Sequence, residues 1–220
     1  MVIIINCFLL HSQENTIGIE YALVIQPEGD LFNDNSTLKQ MLNNAVKNAK
    51  HEKFTLLIKN EGSKFFHNEI LSDEDIMSKS PMFVNYSGKT YTFNDSVYTQ
   101  STAIGKNIYV KKKQIDNWVV TTETKMIDNY KCYKATNVFI VESPNKTFHH
   151  PVVAWFCPDL PYSFGPNGCS GLPGLILELQ ERFVVYGVRK IDFNTNQSFN
   201  IIEMKGVKTM KQKDVDDLLE

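Results

Sequence analysis

The sequence lacks any apolar run long enough to cross a bilayer, which takes about 20 consecutive residues. It lacks an excess of either charge, since 23 Lys and Arg stand against 25 Asp and Glu for a net charge of −2. That balance gives no electrostatic case for nucleic acid or an anionic membrane. A GxSxG nucleophile elbow, a phosphate-binding glycine loop and a dinucleotide fingerprint are also missing. We therefore expect no nucleic-acid partner, no cofactor, and at most a peripheral contact with membranes.

Cysteine is scarce, with four residues at positions 7, 132, 157 and 169. None are spaced as CxxC, and the histidines do not cluster with them, so we expect no metal site. Cys157 and Cys169 flank a loop, and an oxidising compartment favours a disulfide between them. Cys132 is then expected to be a buried thiol that takes no part in a disulfide. The neighbouring Tyr133 and Lys134 offer the alternative of a thiol with a lowered pKa.

The first 13 residues are interpreted as a truncated secretory signal. Their short apolar run suits the hydrophobic region of such a signal, although the positively charged start is missing. The alternative is a buried first strand. Residues 14–220 fit a single domain by length, with no linker or repeat. The expected location is periplasmic or secreted.

Apolar alternation over Thr16–Gln26 predicts the first strand of a sheet. Ser36 is the expected N-cap of a long helix that reaches Lys50. Asn60-Glu61-Gly62 predicts a hairpin turn, and a short helix is expected to begin at Asp214. About ten strands in all predict a mainly β fold, with a curved antiparallel sheet shaped as a half-barrel or bowl.

The stretch Pro151–Leu179 holds five of the eight prolines, interleaved with four glycines. Proline fixes φ and removes a backbone donor, whereas glycine makes turns with positive φ. Apolar runs at Val152–Phe156 and Leu175–Leu179 flank this segment rich in proline and glycine. We predict a strand, a tightly specified loop and a second strand.

Residues 171–176 spell GLPGLI, and this stretch resembles a Bacteroidota family named after those letters, a Porphyromonas-type family of unknown function. The tryptophan strand, the proline turn and the Gly-Pro element of that family also have counterparts here. The residues that the resemblance marks, for structure or for binding of a ligand or partner, are Trp155, Phe156, Pro161, Tyr162, Phe164, Gly165, Pro166, Gly171, Leu172, Pro173, Gly174, Leu175 and Ile176. The sequence is also similar to the bowl-like N-terminal domain of a secreted peptide:N-glycanase. At the level of fold it resembles the half-barrels that carry lipoproteins across the periplasm.

The hexamer has no group for acid–base or nucleophilic chemistry, so we expect its role to be conformational, with docking of a partner as the alternative. Tyr162 and Phe164 belong either to the packed core or to the lining of an exposed apolar groove.

Few other side chains suggest a catalytic or metal-binding role. Asp159 and Glu178 could act as acid and base, but an exposed turn and an exposed strand position explain them better. His149 and His150 are adjacent in a predicted strand and so point to opposite faces, which argues against one shared metal ion. His67 is expected at the surface.

Two functions from different classes follow. The first is a non-catalytic secreted or periplasmic binding module whose curved sheet holds an apolar ligand or a partner protein segment. The second is a hydrolytic or hydrolase-associated domain, related to glycans or peptides, as the glycanase similarity implies. An enzyme needs titratable groups that converge in a concave site, whereas a binding bowl has an apolar lining. The missing catalytic motifs favour binding.

Overall fold

The computed structural model describes residues 15–27, 29, 31–60, 62–69, 83–101, 104–105, 107–115, 117–143, 146–200 and 206–219. The interpretation of residues 1–13 as a signal lies outside the described residues. The elements are β1 (Ile17–Ile25), α1 (Ser36–Asn48), β2 (Lys53–Lys59), β3 (Gly62–His67), β4 (Thr90–Phe93), β5 (Ser96–Gln100), β6 (Ile108–Lys113), β7 (Val119–Ile127), β8 (Tyr130–Ser143), β9 (Lys146–Cys157), β10 (Leu175–Glu181), β11 (Val184–Asp192), β12 (Lys208–Lys211) and α2 (Gln212–Leu219).

The twelve strands found in the described part of the chain form one sheet in the order β12-β6-β5-β4-β3-β2-β1-β11-β10-β9-β8-β7. Every neighbouring pair is antiparallel except β12 and β6, which are parallel. β1 lies in the middle, and its alternate residues from Ile17 to Ile25 are buried, as the sequence pattern predicts. We call β2–β6 with β12 the N-terminal wing, and β7–β11 the C-terminal wing.

The sheet is strongly curved. β6 and β7 are ten strand spacings apart, which is about 48 Å in a flat sheet. Yet only residues 114–118 join Lys113 to Val119, and a chain of that length reaches roughly 22 Å at full extension. The two wings must therefore curl toward one another. The Lys112 Nζ atom indeed lies 5.7 Å from the centre of the Phe139 ring of the other wing.

The concave face carries the main core. The strand register places Tyr21 opposite Phe54 on this face. The Phe54 ring packs edge-on against Tyr186, with ring centres 5.1 Å apart, and stacks on Phe65, with ring centres 5.5 Å apart. A smaller cluster on the convex face of the N-terminal wing contains Leu57, Tyr91, Tyr109 and Phe199.

The long helix packs on the concave face through Leu42 and Ala45, which join the main core. Its N-cap is Asn35, whose side chain accepts a hydrogen bond from the Leu38 amide, so the prediction of Ser36 as the cap is wrong by one residue. Asn and Ser are equally good caps, and the sequence offers them side by side. After Asn48 the helix continues as one 3₁₀ turn to His51.

The prediction of a mainly β fold with a long and a short helix is confirmed. The described residues form twelve strands, against about ten predicted, and β8 and β9 reach Ser143 and Lys146, so β9 begins before the predicted run Val152–Phe156. They pair from Tyr133 opposite Phe156 to Ser143 opposite Lys146. The ladder runs through Asn137 and Pro151 without a register shift and continues well beyond β10, whose pairing with β9 ends at Val152.

Candidate functional site

Residues 158–174, which we call the motif loop, fold back over the concave face. Backbone hydrogen bonds tie the loop to the start of β10. The Leu175 amide donates to the Leu160 carbonyl at 2.9 Å, and the Ile176 amide donates to the Phe164 carbonyl at 3.0 Å. The predicted strand, loop and strand are thus present, and the loop has a defined path of its own.

The motif loop crosses to the N-terminal wing. Gly168 adopts a φ of +77°, and a Cβ atom there would lie 2.5 Å from Val97 and 2.9 Å from Thr90. Only glycine can adopt this positive φ without strain and also leave room for the Val97 and Thr90 side chains. Beside it, the Asn167 side chain donates to the Asn85 carbonyl at 3.0 Å. The loop therefore links the two wings across the bowl.

Two further hydrogen bonds fix the loop and the strand after it. The Trp118 indole donates to the Ser170 carbonyl at 2.8 Å, which ties the loop to the short link between β6 and β7. The Tyr21 hydroxyl donates to the Ile176 carbonyl at 2.7 Å. The motif loop thus fills space that an open bowl would offer to a ligand.

The marked family residues differ in exposure. The buried ones are Phe156, Gly165, Pro166, Leu172, Gly174, Leu175 and Ile176. Trp155, Tyr162 and Phe164 are half-buried, and Pro161, Gly171 and Pro173 are exposed. Tyr162 and Phe164 both pack against the main core, which favours the core interpretation over a groove. Gly171 and Gly174 have positive φ, at 86° and 159°, as a conformational role requires.

In this structure no disulfide joins Cys157 to Cys169, and the predicted pairing stays a prediction. Both residues, and Cys132, are buried free thiols. Cys157 ends β9, where it pairs with Leu175, whereas Cys169 follows Gly168 where the loop meets the other wing.

A charged cluster surrounds Trp155 on the convex face. The Nζ atom of Lys125 lies 4.5 Å from the centre of the indole ring, and that of Lys134 lies 6.0 Å from it. Lys125 pairs with Glu178 at 2.6 Å, and Lys134 pairs with Glu123 at 2.9 Å. Each cation is matched by a carboxylate, so the cluster is electrostatically balanced. Sequence reasoning did not place Lys125 and Lys134 beside Trp155, because their distance to the indole depends on the order of three strands.

The Asp159 and Glu178 pair is not assembled as an acid and a base. Glu178 pairs with Trp155 in the sheet and forms its ion pair with Lys125. Asp159 lies exposed in the turn after β9. The explanation by an exposed turn and a strand position therefore fits both residues better.

The histidines occupy different settings. His149 lies opposite Ile140 and His150 opposite Phe139, so they are adjacent on β9. Burial, Arg182 and His149 lower the pKa of His150. His67 was expected at the surface, but its side chain is 8% exposed and its Nε2 atom lies 2.5 Å from Glu52. That expectation is wrong, because a buried carboxylate supplies the partner that a core histidine needs.

A polar cluster lies on the concave side where the motif loop meets β10. The Asn167 side chain donates to the Glu181 carboxylate at 2.7 Å. Burial raises the pKa of Glu181, while hydrogen bonds from Asn167 and Asn85 and the charge of Lys112 oppose that increase. Burial likewise raises the pKa of Tyr186, and Glu181 adds to the rise. Sequence reasoning missed Glu181, although its position two residues after buried Leu179 puts it on the same face.

Exposed apolar side chains concentrate on the last three strands of the C-terminal wing, which we call the β7–β9 arm. Among the described residues, seven of the eleven exposed large hydrophobic ones lie there, namely Val119, Val120, Met126, Val138, Phe139, Ile140 and Phe148. The outer edge of β7 has no strand partner among the described residues. The sequence gives no sign of this, because an edge strand and a central strand can share one pattern.

Within the part of the chain that the structure describes, no three His, Cys, Asp or Glu side chains are grouped to hold a metal ion. No helix in that part is long and apolar enough to cross a membrane.

Residues 143–178 match the model of a family described as "Protein of unknown function (Porph_ging)". The matched segment starts at Ser143, the last residue of β8, and ends at Glu178, so it holds β9, the motif loop and the GLPGLI residues. None of the curated proteins matches the chain.

Among solved structures, the chain is similar to PNGF-II in two crystal forms. The P2₁ form has a TM-score of 0.54 and 12% identity, over 93% of this chain and 33% of that chain. The C2 form has a TM-score of 0.53 and 14% identity, over 93% and 32%. The chain thus spans about a third of the length of these structures, and the likeness concerns the fold. The resemblance to the family and the similarity to a glycanase domain, both stated from the sequence, are confirmed.

Proposed function

We propose that the protein is a non-catalytic, secreted or periplasmic binding module that holds an extended segment of a partner protein. The segment adds as a strand to the outer edge of β7. The observation that carries this proposal is the combination of an edge with no strand partner among the described residues and exposed apolar side chains on the β7–β9 arm.

The concave face supports a binding role less well than the arm does. The sequence suggested an apolar ligand in the bowl, but α1 and the motif loop occupy much of that face. Leu172, Leu175 and Ile176 supply buried apolar surface there from the chain itself. A bound apolar ligand would have to displace them.

The edge of β7 offers what an extended peptide recognises. An edge strand carries a row of unpaired amide and carbonyl groups, which accept an added strand. β7 is nine residues long and mostly exposed. Val119 and Met126 expose 63% and 61% of their surface, which suits apolar side chains of a partner.

The length of the PNGF-II chains is consistent with a module that functions together with other protein segments. The chain spans a third of the PNGF-II structures, so this fold is found there within a much longer chain. A partner, by this proposal, is a segment of another protein rich in β-branched and aromatic residues.

Selection from a display library of random twelve-residue peptides tests the proposal. Peptides with alternating apolar residues should be enriched, and amide hydrogen exchange should show β7 protected when such a peptide binds. The triple variant Val119→Lys, Val120→Lys and Met126→Lys should lose at least about tenfold in affinity, since lysine blocks an edge.

A matched control carries three lysines at exposed apolar positions elsewhere, Val24→Lys, Val46→Lys and Leu218→Lys. It adds the same charge and should bind like the wild type. Equal binding by the edge variant, protection that maps elsewhere, or no enriched peptide would each contradict the proposal.

The alternative is a hydrolytic or hydrolase-associated domain, and the Glu181 cluster favours it. A carboxyl group with a raised pKa is suited to donate a proton, and Glu181 has such a shift. Hydrolysis of a glycopeptide by the wild-type protein, abolished in Glu181→Gln, would support this function. Equal turnover by both proteins would reject it.

A further inference from the structure

We propose that Cys132 and Cys157 form a disulfide bond across β8 and β9 when the protein folds with an oxidant present. β8 and β9 pair without a register shift from Ser143 opposite Lys146 to Tyr133 opposite Phe156. One further step of this register places Cys132 opposite Cys157, and both residues lie within their strands.

The expected geometry suits a disulfide. Directly opposed residues of antiparallel strands have Cα atoms about 4.5–5.5 Å apart, with side chains on the same face. Disulfides usually join Cα atoms about 4.4–6.8 Å apart. Both thiols are fully buried, with 0% exposure. Burial raises the pKa of Cys132 to about 12, and Cys157 adds to the increase, so the thiols lie within electrostatic range of one another.

Cys169 is a poorer partner for either thiol. It follows Gly168, which is wedged against Val97 and Thr90 of the N-terminal wing. The next residue, Ser170, accepts a hydrogen bond from the Trp118 indole. Drawing Cys169 toward β9 would break this attachment to the other wing.

The chemistry is thiol–disulfide exchange with a small disulfide such as oxidised glutathione. The thiolate of one cysteine attacks the oxidant, forms a mixed disulfide and releases one glutathione thiolate. The second cysteine, as thiolate, then attacks the cysteine sulfur of the mixed disulfide, which closes the bond and releases the second glutathione. The oxidant gains two electrons, and the two cysteine protons pass to solvent and to the released thiolates. Because the folded thiols are buried, the exchange takes place during folding.

The bond would close the β8–β9 hairpin at its base. The part of this hairpin that carries Phe139, Ile140 and Phe148 lies beyond β10 and is held mainly by its own ladder. A covalent link at Cys132 and Cys157 keeps its two strands in register.

The full chain is unfolded with reductant and refolded in a glutathione redox buffer. Free thiols are then alkylated, and the peptides are mapped by mass spectrometry without reduction. We expect one cross-linked pair, Cys132 with Cys157, and alkylated Cys169. Alkylation of Cys132 and Cys157, or a bridge that joins either of them to Cys7 or Cys169, overturns the proposal.

Variants give a second readout that does not depend on the map. Oxidised wild-type protein and Cys169→Ser should both unfold at a higher urea concentration than their reduced forms. Cys132→Ser and Cys157→Ser should show no such shift between oxidising and reducing buffer. A shift that persists in Cys132→Ser, or that disappears in Cys169→Ser, contradicts the pairing.

Discussion

The Tyr21 hydroxyl donates a buried hydrogen bond of 2.7 Å to the Ile176 carbonyl, and so connects the central strand to the last residue of GLPGLI. The two residues are far apart in sequence, and both are fully buried. The motif therefore contacts the strand on which both wings depend.

Tyr21→Phe should lower the free energy of unfolding by about 1–3 kcal/mol, because it leaves a buried carbonyl without its hydroxyl donor. Urea denaturation measures the loss. Tyr98→Phe is the control: Tyr98 is half-buried with its ring stacked on Phe93, and removing its hydroxyl should cost less than about 0.5 kcal/mol. Equal losses in both variants would show that the Tyr21 bond has no special weight.

Gly165→Ala should destabilise the protein by about 1–3 kcal/mol through overpacking. The added Cβ would lie 2.7 Å from the Cβ and Cδ1 atoms of Ile176. In an Ile176→Val background, which lacks Cδ1, the same substitution should cost less. Gly187→Ala is the control, since no heavy atom lies within 4 Å of its added Cβ, and it should leave the melting temperature nearly unchanged. If Gly165→Ala melts at the same temperature as the wild type, the conformational role of GLPGLI is contradicted and its alternative role, docking of a partner, is favoured.

Glu181→Gln should become more stable relative to the wild type as the pH rises. The folded-state pKa of Glu181 lies above the ordinary value of 4.5. Its contribution to stability is therefore complete below about 4.5 and is lost as the pH rises through the folded-state value. Glutamine stays neutral and can still accept from Asn167, so it avoids this loss. Urea denaturation between pH 4 and pH 8 measures the difference, and a difference that is independent of pH would contradict the shift.

The Lys125–Glu178 ion pair should contribute little to stability, in spite of its 2.6 Å separation. Both side chains keep about a third of their surface exposed, and solvent screens such pairs to under about 1 kcal/mol. A double-mutant cycle of Lys125→Met and Glu178→Gln measures the coupling. A coupling above about 2 kcal/mol would mean that the Trp155 cluster is shielded from water in solution.

The sequence predicted best what is local. The alternation of β1, the hairpin between β2 and β3, and the long helix each depend on a few neighbouring residues, and all three are present. The cap is one residue from its expected place because Asn35 and Ser36 are both capable of the role.

What the sequence could not predict depends on strand order. The convex-face cluster needs β7, β8, β9 and β10 side by side, so that Lys125 and Glu178 meet over Trp155. The path of the motif loop depends on strand order in the same way. Cys157 and Cys169 are close in sequence, but the loop between them was free to turn back or to cross the bowl, and its contact partners on the other wing lie far away in the chain.

The position of β1 has a consequence for biosynthesis. β1 pairs with β11, so that Gly18 lies opposite Asp192, and nearly the whole chain must be made before the centre of the sheet is complete. At ribosomal rates of 5–20 residues per second, that interval lasts roughly 10–35 s. Until then both edges of the N-terminal wing are open and the Tyr21 side of β1 is uncovered. A nascent chain of this kind would be expected to need a holding chaperone while it waits for its last strands.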